Sequence, residues 1–433
     1  MDSATLDQAP DTSSRKRQDW LIISLVGAVH SSSHFFQLVL PTLYLSLAHE
    51  YGYDFVKLGM LASAFFLVSC FGQASSGFVV DRIGPAPVLR FGLTCFVVSG
   101  ILIGISTGYP MLLLAAVIGG IGNSVFHPVD FSILNHKVSP RRLGHAFSTH
   151  GLTGNLGWAL TPVFMATIIY LANWRVAAFS AASLVAVVLF LTWLGRGLLA
   201  NSGQALPNDE AVANVAVASN AAVADLSDRT AMQTLTTLLG QPALWGAFLF
   251  FAFTSMALSA VQNFTIPMLS EVYDIDKIVA GTTLSAYMVA AALGMLAGGF
   301  LAGATPNTER TVAVSLVLAG VLLLVLAYGA IPPSYAIALV AMAGFCSGVS
   351  APSRDMLIRR VTPKGATGAV YGLVYSGMDV GSSLAPVGFG LMLDAGFVQG
   401  PWFGAAIGFG VAAALALWVA RTATSTALRP VSA

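Results

Sequence analysis

Long apolar stretches, separated by short polar ones, cover almost the whole chain. Each stretch is apolar on all sides and lacks the period-two alternation of membrane barrel strands. A bilayer core about 30 Å thick requires roughly 20 mostly apolar residues per helix. The pattern therefore predicts an all-α membrane protein with twelve transmembrane helices. The predicted helices cover residues 20–48, 55–80, 87–106, 110–136, 144–171, 175–196, 241–269, 277–302, 311–330, 334–358, 366–393 and 398–420.

One long polar segment, residues 197–240, divides these helices into two sets of six. It is rich in Asn, Asp, Ser and Ala, which is typical of a loop between domains. The predicted organisation is an N-terminal tail (1–19), a six-helix bundle (20–196), a central loop (197–240), a second six-helix bundle (241–420) and a C-terminal tail (421–433).

The two halves carry glycines and prolines at a constant spacing. With 43 Gly and 19 Pro in the chain, some coincidences are expected by chance, but one spacing shared across two helix pairs favours duplication. Internal repeats are the usual architecture of secondary transporters. We therefore expect two pseudo-symmetric bundles with a site between them. The pairs that differ by 224 are Gly120/Gly344, Pro128/Pro352, Gly144/Gly368, Gly157/Gly381 and Pro162/Pro386.

Charge is scarce in the 433 residues. Only 9% are Asp, Glu, Lys or Arg, whereas soluble domains have about 25%. This excludes a soluble enzyme, a nucleic-acid-binding protein and a disordered scaffold, so the lipid bilayer is the expected surrounding. Cys70, Cys95 and Cys346 lie within apolar stretches, which argues against a disulfide framework or a zinc cluster. We expect no cofactor, no nucleic-acid partner and a monomer.

The basic residues predict an orientation. Sixteen of the 20 Lys and Arg fall on the side of the two termini, three on the other side, and Arg354 lies within a span. The positive-inside rule places both termini in the cytoplasm, with the protein in the cell inner (plasma) membrane. Arg15, Lys16 and Arg17 resemble the start of a signal peptide, but the following span is long and has no small-residue cleavage site. We expect an uncleaved first helix.

Polar residues in the first predicted helix share one face. His30, His34 and Gln37 lie at positions i, i+4 and i+7. Ionisable groups at bilayer depth cost about 2.5–3.5 kcal/mol on insertion scales, so they usually face a bundle interior or a cavity. The stripe is therefore a candidate lining of a substrate pocket. Hydrogen bonding to neighbouring helices is the alternative.

The fourth predicted helix presents a second polar face, formed by Asn123, His127 and Asp130. Imidazole is the side chain that titrates nearest neutral pH, so His127 is a candidate proton carrier. For Asp130, an ion pair with Arg82 or Arg90 that locks the cytoplasmic gate is slightly favoured over proton binding. The spacing of His30 and His34 could imitate a metal site. We nevertheless predict none, because no carboxylate or cysteine is expected at the same depth.

Polar groups in the second half are candidates for holding substrate. Arg354 can bind a phosphonate, phosphate or carboxylate in bidentate fashion; a salt bridge to Asp355 or Asp379 is an equally good interpretation. Asp379 is a further candidate for proton coupling. Tyr375 precedes it by one turn. The remaining predicted substrate-binding residues are His150, Asn155, Trp158, Gln262, Asn263 and Tyr287.

The loop after the second predicted helix reads Gly77-Phe-Val-Val-Asp81-Arg82-Ile-Gly84. It resembles the G-x-x-x-D-R-x-G signature of the major facilitator superfamily, whose fold consists of two six-helix bundles. The resemblance implies that Gly77, Asp81, Arg82 and Gly84 belong to the gate. The chain departs after Gly84, where Pro85-Ala-Pro87 replaces the basic pair of the family, and Arg90 is the candidate substitute.

Within that superfamily, residues 30–162 resemble the fosmidomycin-resistance group of efflux proteins. The most specific shared blocks are Phe126-His127-Pro128, preceded by Gly120-Ile-Gly122, and Gly154-Asn-Leu-Gly157. The chain departs from the group at Val129, where a glutamate is usual, and at Ala74, where a proline is usual. The resemblance implies a transport mechanism more than a particular substrate. Also shared are His34, Gln37, Pro41, Leu58, Gly59 and Gln73.

The chain contains no nucleotide-binding P-loop, no G-x-S-x-G elbow and no acidic metal cluster. A gradient must therefore supply the energy. The sequence predicts a secondary transporter, not an enzyme, that exports a small amphiphilic or anionic compound, such as a drug or antibiotic, in exchange for protons. Proton-coupled uptake of an organic anion or nutrient is the alternative; metal-ion transport and an intramembrane enzyme are less favoured. The predicted proton-coupling residues are His34, His127, Asp130 and Asp379.

Overall fold

The computed structural model describes residues 13–199, 240–305, 307–361 and 367–427. Every regular element in this part of the chain is a helix, and ten of the helices are long and apolar enough to cross a membrane. The predicted all-α membrane fold is confirmed, and twelve spans are consistent with it. Most of the predicted central loop lies outside the described residues, and the proposed domain boundaries stay a prediction.

The helices of the N-terminal half are α1 (Ser13–Gln37), α2 (Val39–Thr42), α3 (Tyr44–Tyr51), α4 (Phe55–Ile83), α5 (Pro85–Gly104), α6 (Tyr109–Asn123), α7 (Phe126–Lys137), α8 (Pro140–Leu171), α9 (Trp174–Leu194) and α10 (Arg196–Leu199). Those of the C-terminal half are α11 (Pro242–Tyr273), α12 (Lys277–Ala304), α13 (Thr308–Ala327), α14 (Pro333–Val361), α15 (Thr367–Asp394) and α16 (Gly400–Ala427).

Two predicted helices are broken where a proline disturbs the ladder. A proline lacks the amide proton and clashes with the carbonyl four residues earlier. Pro41 therefore acts on Gln37, where α1 ends, and Pro128 acts on Ser124, which separates α6 from α7. The first predicted span consists of α1, α2 and α3, and the fourth consists of α6 and α7. Each break lies beside polar residues of the candidate site.

The repeated glycines pack the same way in both halves. Gly157 of α8 meets the backbone of α1 so closely that a Cβ there would overlap the Ser31 carbonyl oxygen. Its partner in the repeat, Gly381 of α15, approaches the Ala252 carbonyl oxygen of α11 equally closely. The two bundles are thus built on the same helix contacts, as expected for a duplicated fold. Gly120 against α4 and Gly344 against α12 form a second equivalent pair.

The halves meet at the end opposite to the two termini, which we call the closed end. There α15 contacts α4, and α12 contacts α8. The Asp394 carboxylate accepts hydrogen bonds from the backbone amides of Phe55 and Val56, each at 2.7 Å. The Val163 amide donates to Ser285 Oγ at 3.1 Å. These contacts tie the first turn of α4 to the last residue of α15 and so join the two halves.

Candidate functional site

Five ionisable residues come together inside the N-terminal half: His30, His34, His127, Asp130 and His150. We call them the histidine cluster. Asp130 is fully buried, and its Oδ2 lies 3.0 Å from His30 Nδ1 and 3.2 Å from His150 Nε2. The His30 and His150 rings stack with centroids 3.5 Å apart. One carboxylate therefore bridges two imidazoles from different helices, α1 and α8.

The other two imidazoles, His34 and His127, lie beside this triad. The His30 ring centroid is 4.5 Å from that of His34 and 5.4 Å from that of His127. Both ring nitrogens of His34 and Nδ1 of His127 are buried and form no hydrogen bond with any described residue. A buried polar atom without a partner costs about 1–3 kcal/mol. Such atoms call for an explanation, and these three nitrogens are therefore candidates for a functional role.

Glycine allows the cluster to be this dense. A Cβ at Gly154 would lie 3.0 Å from His30 Nε2 and 3.0 Å from His34 Cε1. At the neighbouring Gly151, by contrast, an added Cβ would meet no atom within 4 Å. The missing side chain at Gly154 therefore makes room for two rings of α1 against α8. The break before α7 gives Asp130 and His127 a helix axis separate from that of α6.

The structure corrects two sequence expectations about Asp130. Among the described side chains it pairs with no arginine: Arg90 donates to the Thr192 carbonyl at 2.9 Å and lies over the Trp193 ring, and Arg82 is exposed. A carboxylate does lie beside His30, so the reason for predicting no metal site was wrong. Both expectations failed for the same reason: the Asp130 side chain points toward α1 and α8 and away from the basic loop.

Two sets of donor atoms lie within 4.8 Å of one another and could accept a metal ion by spacing alone. One set is His30, His34 and His127, and the other is His30, Asp130 and His150. Imidazole and carboxylate donors suit zinc and similar divalent ions. Both sets include His30. Their geometry equally suits proton exchange between neighbouring imidazoles.

An amide network lies next to the cluster. Asn123 Oδ1 accepts from Gln37 Nε2 at 3.0 Å, and Asn123 Nδ2 donates to Ser69 Oγ at 2.8 Å. Gln37 Oε1 accepts from Trp158 Nε1 at 2.9 Å, and the Trp158 ring lies 4.2 Å from that of His34. The network links four helices. Ser69 was missed because a single serine in an apolar helix gives no periodic signal.

In the C-terminal half, Arg354 forms a salt bridge to Asp355. The sequence had left this salt bridge and the binding of an anionic substrate as equal alternatives. The Arg354 Nε lies 2.9 Å from Asp355 Oδ1. The guanidinium also lies over the Phe251 ring, 5.0 Å from the centroid. Phe251 in turn packs against Tyr375 at 4.8 Å. Phe251 was missed by the sequence reasoning because a phenylalanine in an apolar stretch resembles any core residue.

Asp379 lies one turn beyond Tyr375 on α15 and is partly buried. Among the described residues its carboxylate has no ion pair and no hydrogen bond; Ser383 Oγ donates only to its backbone carbonyl, at 2.6 Å. Its helix, α15, packs against α4 of the other half. Gln262 Nε2 is another buried atom without a partner in this part of the chain.

Several predicted substrate-binding residues instead bond to their own or a neighbouring helix. Asn155 Nδ2 donates to the Gly151 carbonyl at 3.0 Å, and Tyr287 OH bonds to Ser347 Oγ at 3.1 Å. Asn263 accepts from Tyr44 OH of the other half at 3.2 Å. Each of these side chains therefore has a partner within the protein. Of the predicted gate, the side chains at 77 and 81 lie outside the described residues.

Solved transporters share this fold. A bacterial homolog of the human lysosomal transporter Spinster, in an inward-facing and unoccupied conformation, superposes with a TM-score of 0.69 at 13% identity and covers 95% of this chain and 97% of its own. A POT family transporter in complex with 5-aminolevulinic acid has a TM-score of 0.73 at 13% identity, with 93% and 96% covered. At this identity the likeness concerns the fold alone.

Sequence relatives include the fosmidomycin resistance protein of Escherichia coli K12, 31% identical over 183 residues, which is 42% of this chain and 45% of that protein. A probable hexose phosphate transport protein of Chlamydia trachomatis is 26% identical over 289 residues (64% and 61%). Both matches span less than two thirds of the relative. The membrane sensor protein UhpC of Salmonella typhimurium is 25% identical over 366 residues (83% and 82%).

The Major Facilitator Superfamily model matches residues 25–303 and again residues 248–432. Together the two matches cover nearly the whole chain, and both the predicted superfamily and the likeness to a fosmidomycin resistance protein are confirmed. The protein is a multi-pass membrane protein, and it belongs to the Major Facilitator Superfamily.

Proposed function

We propose that the protein exports a small amphiphilic or anionic compound, such as a drug or antibiotic, in exchange for protons. Its two halves would alternate access around a site at their interface. The basic residues on the side of the termini favour a cytoplasmic location of both ends in the inner membrane. The observation that carries the proposal is the histidine cluster, an ionisable group of five side chains at bilayer depth.

Proton exchange is the function that this cluster supports best. Asp130 accepts from His30 and His150 at 3.0 and 3.2 Å, so one proton can move between carboxylate and imidazole without a change of backbone. Imidazole changes charge near physiological pH, and buried intramembrane ionisable groups are commonly proton relays. His34 and His127, with their free nitrogens, would pass the proton toward the substrate site.

The substrate site in this proposal lies between the two halves. Trp158 and Gln37, bonded to each other at 2.9 Å, would offer one wall beside His34. Arg354 and the Phe251–Tyr375 pair would offer the other. The loop that contains Asp81 and Arg82 would be part of the gate, as the superfamily signature implies. Asp379 would be the proton-exchanging group of the second half.

Uptake of an organic anion is a second candidate, favoured by the likeness to a hexose phosphate transport protein. Everted and right-side-out vesicles loaded with a pH dye separate the two. Fosmidomycin and glucose 6-phosphate are the probes. For efflux, adding a transported probe to the cytoplasmic side drives protons the opposite way across the membrane. Movement of protons in the same direction as the probe would refute efflux and support uptake.

A further inference from the structure

The donor atoms of the histidine cluster differ in whether the protein itself supplies a partner. Asp130 Oδ2 is bonded to His30 Nδ1 at 3.0 Å and to His150 Nε2 at 3.2 Å. Both ring nitrogens of His34 and Nδ1 of His127 are buried and have no hydrogen-bond partner in the described part of the chain. Three such nitrogens in one cluster point to a ligand that supplies the missing interaction.

These nitrogens face one another. His30, His34 and His127 each offer one donor atom, and the three atoms lie within 4.8 Å of one another. His30 Nε2 and His34 Nδ1 lie 3.0 and 3.1 Å from the point where a Cβ at Gly154 would stand, so both rings lean on the same spot of α8. The three imidazoles therefore converge from α1 and α7 on a shared position.

The spacing is close to that of a metal site. Zn–N bonds of about 2.0–2.1 Å in a tetrahedral site place the ligand nitrogens about 3.4 Å apart. Among the described residues, no hydrogen bond fixes the ring of His34 or His127, and both side chains are half-buried. A small rotation of these two rings can therefore bring the nitrogens to the distance that an ion requires.

Asp130 provides the outer support that metal-bound histidines have. Such a histidine almost always donates its other ring N–H to a carboxylate or carbonyl, which fixes the tautomer and the orientation of the ring. His30 Nδ1 is bonded to Asp130 Oδ2, so the lone pair of His30 Nε2 is available to an ion. An ionised Asp130 would also offset part of the charge of a buried divalent ion.

We propose that His30, His34 and His127 bind one divalent transition-metal ion, such as Zn²⁺. Imidazole nitrogens suit zinc and its neighbours in the first transition row. Asp130 orients His30 from outside the ligand set, and His150 stacks on the His30 ring with centroids 3.5 Å apart. Three protein ligands leave a fourth position for water. Such a site was not expected from the sequence, and it does not depend on the proposed function.

Equilibrium binding of Co²⁺ to the purified full-length protein tests the site, because tetrahedral Co²⁺ absorbs visible light strongly. Any histidine affinity tag is removed, and a chelator strips the protein first. The wild type is expected to bind one Co²⁺, which Zn²⁺ displaces. Loss of an outer partner costs about 10–100-fold in metal affinity. Asp130→Asn should fall in this range, and the ligand variants His34→Gln and His127→Gln should each lose more.

Two further histidine variants serve as controls. His49→Gln, at an exposed histidine of α3, should bind Co²⁺ as the wild type does. His150→Gln should also retain binding, and it separates this site from the other possible donor set of His30, Asp130 and His150. Loss of binding in His150→Gln with retention in His34→Gln would overturn the assignment. No Co²⁺ binding by the wild type would overturn it as well.

A measurement on the wild type alone does not depend on how well the variants fold. X-ray absorption at the zinc edge of the zinc-loaded protein should show three imidazole nitrogens at about 2.0–2.1 Å. Two imidazoles and a carboxylate would fit the other donor set and contradict the proposed ligands.

The vesicle assay keeps this result separate from the proposed function. If the wild type binds no Co²⁺ but couples fosmidomycin or glucose 6-phosphate to protons, the metal site is wrong and proton-coupled transport stands. If Co²⁺ binds with the expected variant pattern but no probe moves protons, the metal site stands and the proposed coupling is wrong.

Discussion

The two halves share a backbone plan but treat their polar groups differently. In the N-terminal half the polar side chains bond to one another: Asp130 joins two histidines, and Asn123 joins Gln37 to Ser69. In the C-terminal half Arg354 is held by its sequence neighbour, and the Asp379 carboxylate has no partner among the described residues. Duplication thus preserved the helix contacts while the side chains diverged.

The repeat itself makes this divergence visible. Asp130 and Arg354 occupy equivalent positions, 224 residues apart, and have opposite charge. Gly154, which makes room for two histidines, corresponds to Met378 beside Asp379. A network of bonded imidazoles suits the passing of protons, whereas an isolated charge suits the binding of a ligand. The comparison teaches that the two halves have different tasks.

The largest effect should come from Asp130→Asn. The change removes the carboxylate to which His30 and His150 are both bonded, and a buried polar group left without a partner costs about 1–3 kcal/mol. We expect proton-driven accumulation of substrate in proteoliposomes to fall at least tenfold, while downhill flux persists. His49→Gln, at an exposed histidine of α3, is the control. Full accumulation by Asp130→Asn would show that the cluster is structural only.

The next largest effect distinguishes the glycine contacts that both bundles share from the glycine contact within the histidine cluster. Gly157→Ala and Gly381→Ala should each lower stability by about 1–3 kcal/mol, because the added methyl overlaps backbone in equivalent places. Gly154→Ala should cost less and affect transport, because only the histidine rings must move. Thermal unfolding in detergent measures the order. Gly151→Ala, with open space around its Cβ, should leave the unfolding temperature unchanged. A loss of stability as large as that of Gly157→Ala would contradict the packing argument.

A smaller effect is expected at the closed end, where two carboxylates bond the first turn of α4. Asp54 bonds the Lys57 amide of its own half, whereas Asp394 reaches across from the other half. Loss of such a cap costs about 0.5–2 kcal/mol. Only Asp394→Asn should open this end, which spin-label distances between residues 170 and 279 would report. An equal shift in Asp54→Asn would mean that capping, and not bridging, matters.

The smallest effect should be that of Asp355→Asn. Its side chain is 47% exposed, and exposed ion pairs contribute about 0–1 kcal/mol. We expect the unfolding temperature to change little and proton movement to stay intact. Thermal unfolding and the pH-dye assay test both statements. A loss of coupling comparable to that of Asp130→Asn would remove the contrast between the halves.

Sequence periodicity was sufficient for the helices and for the shared face of His30, His34 and Gln37. It did not reveal the partners of Asp130, because they lie on α1 and α8 and not on the loop that carries Arg82. It could not connect His150 to His30, since their contact depends on how α8 packs on α1. Contacts of that kind arise from tertiary packing, which spacing along the chain does not encode.

The bond between Asp394 and α4 has an electrostatic consequence. A helix carries partial positive charge at its first turn and partial negative charge at its last, so the closed end joins opposite poles of α4 and α15. Opening this end would separate those poles, with the positive pole on α4 and the negative pole on α15. Dissolved salt screens such exposed charges within about 10 Å at 0.1 M. Ionic strength on that side of the membrane should therefore shift the balance between closed and open states.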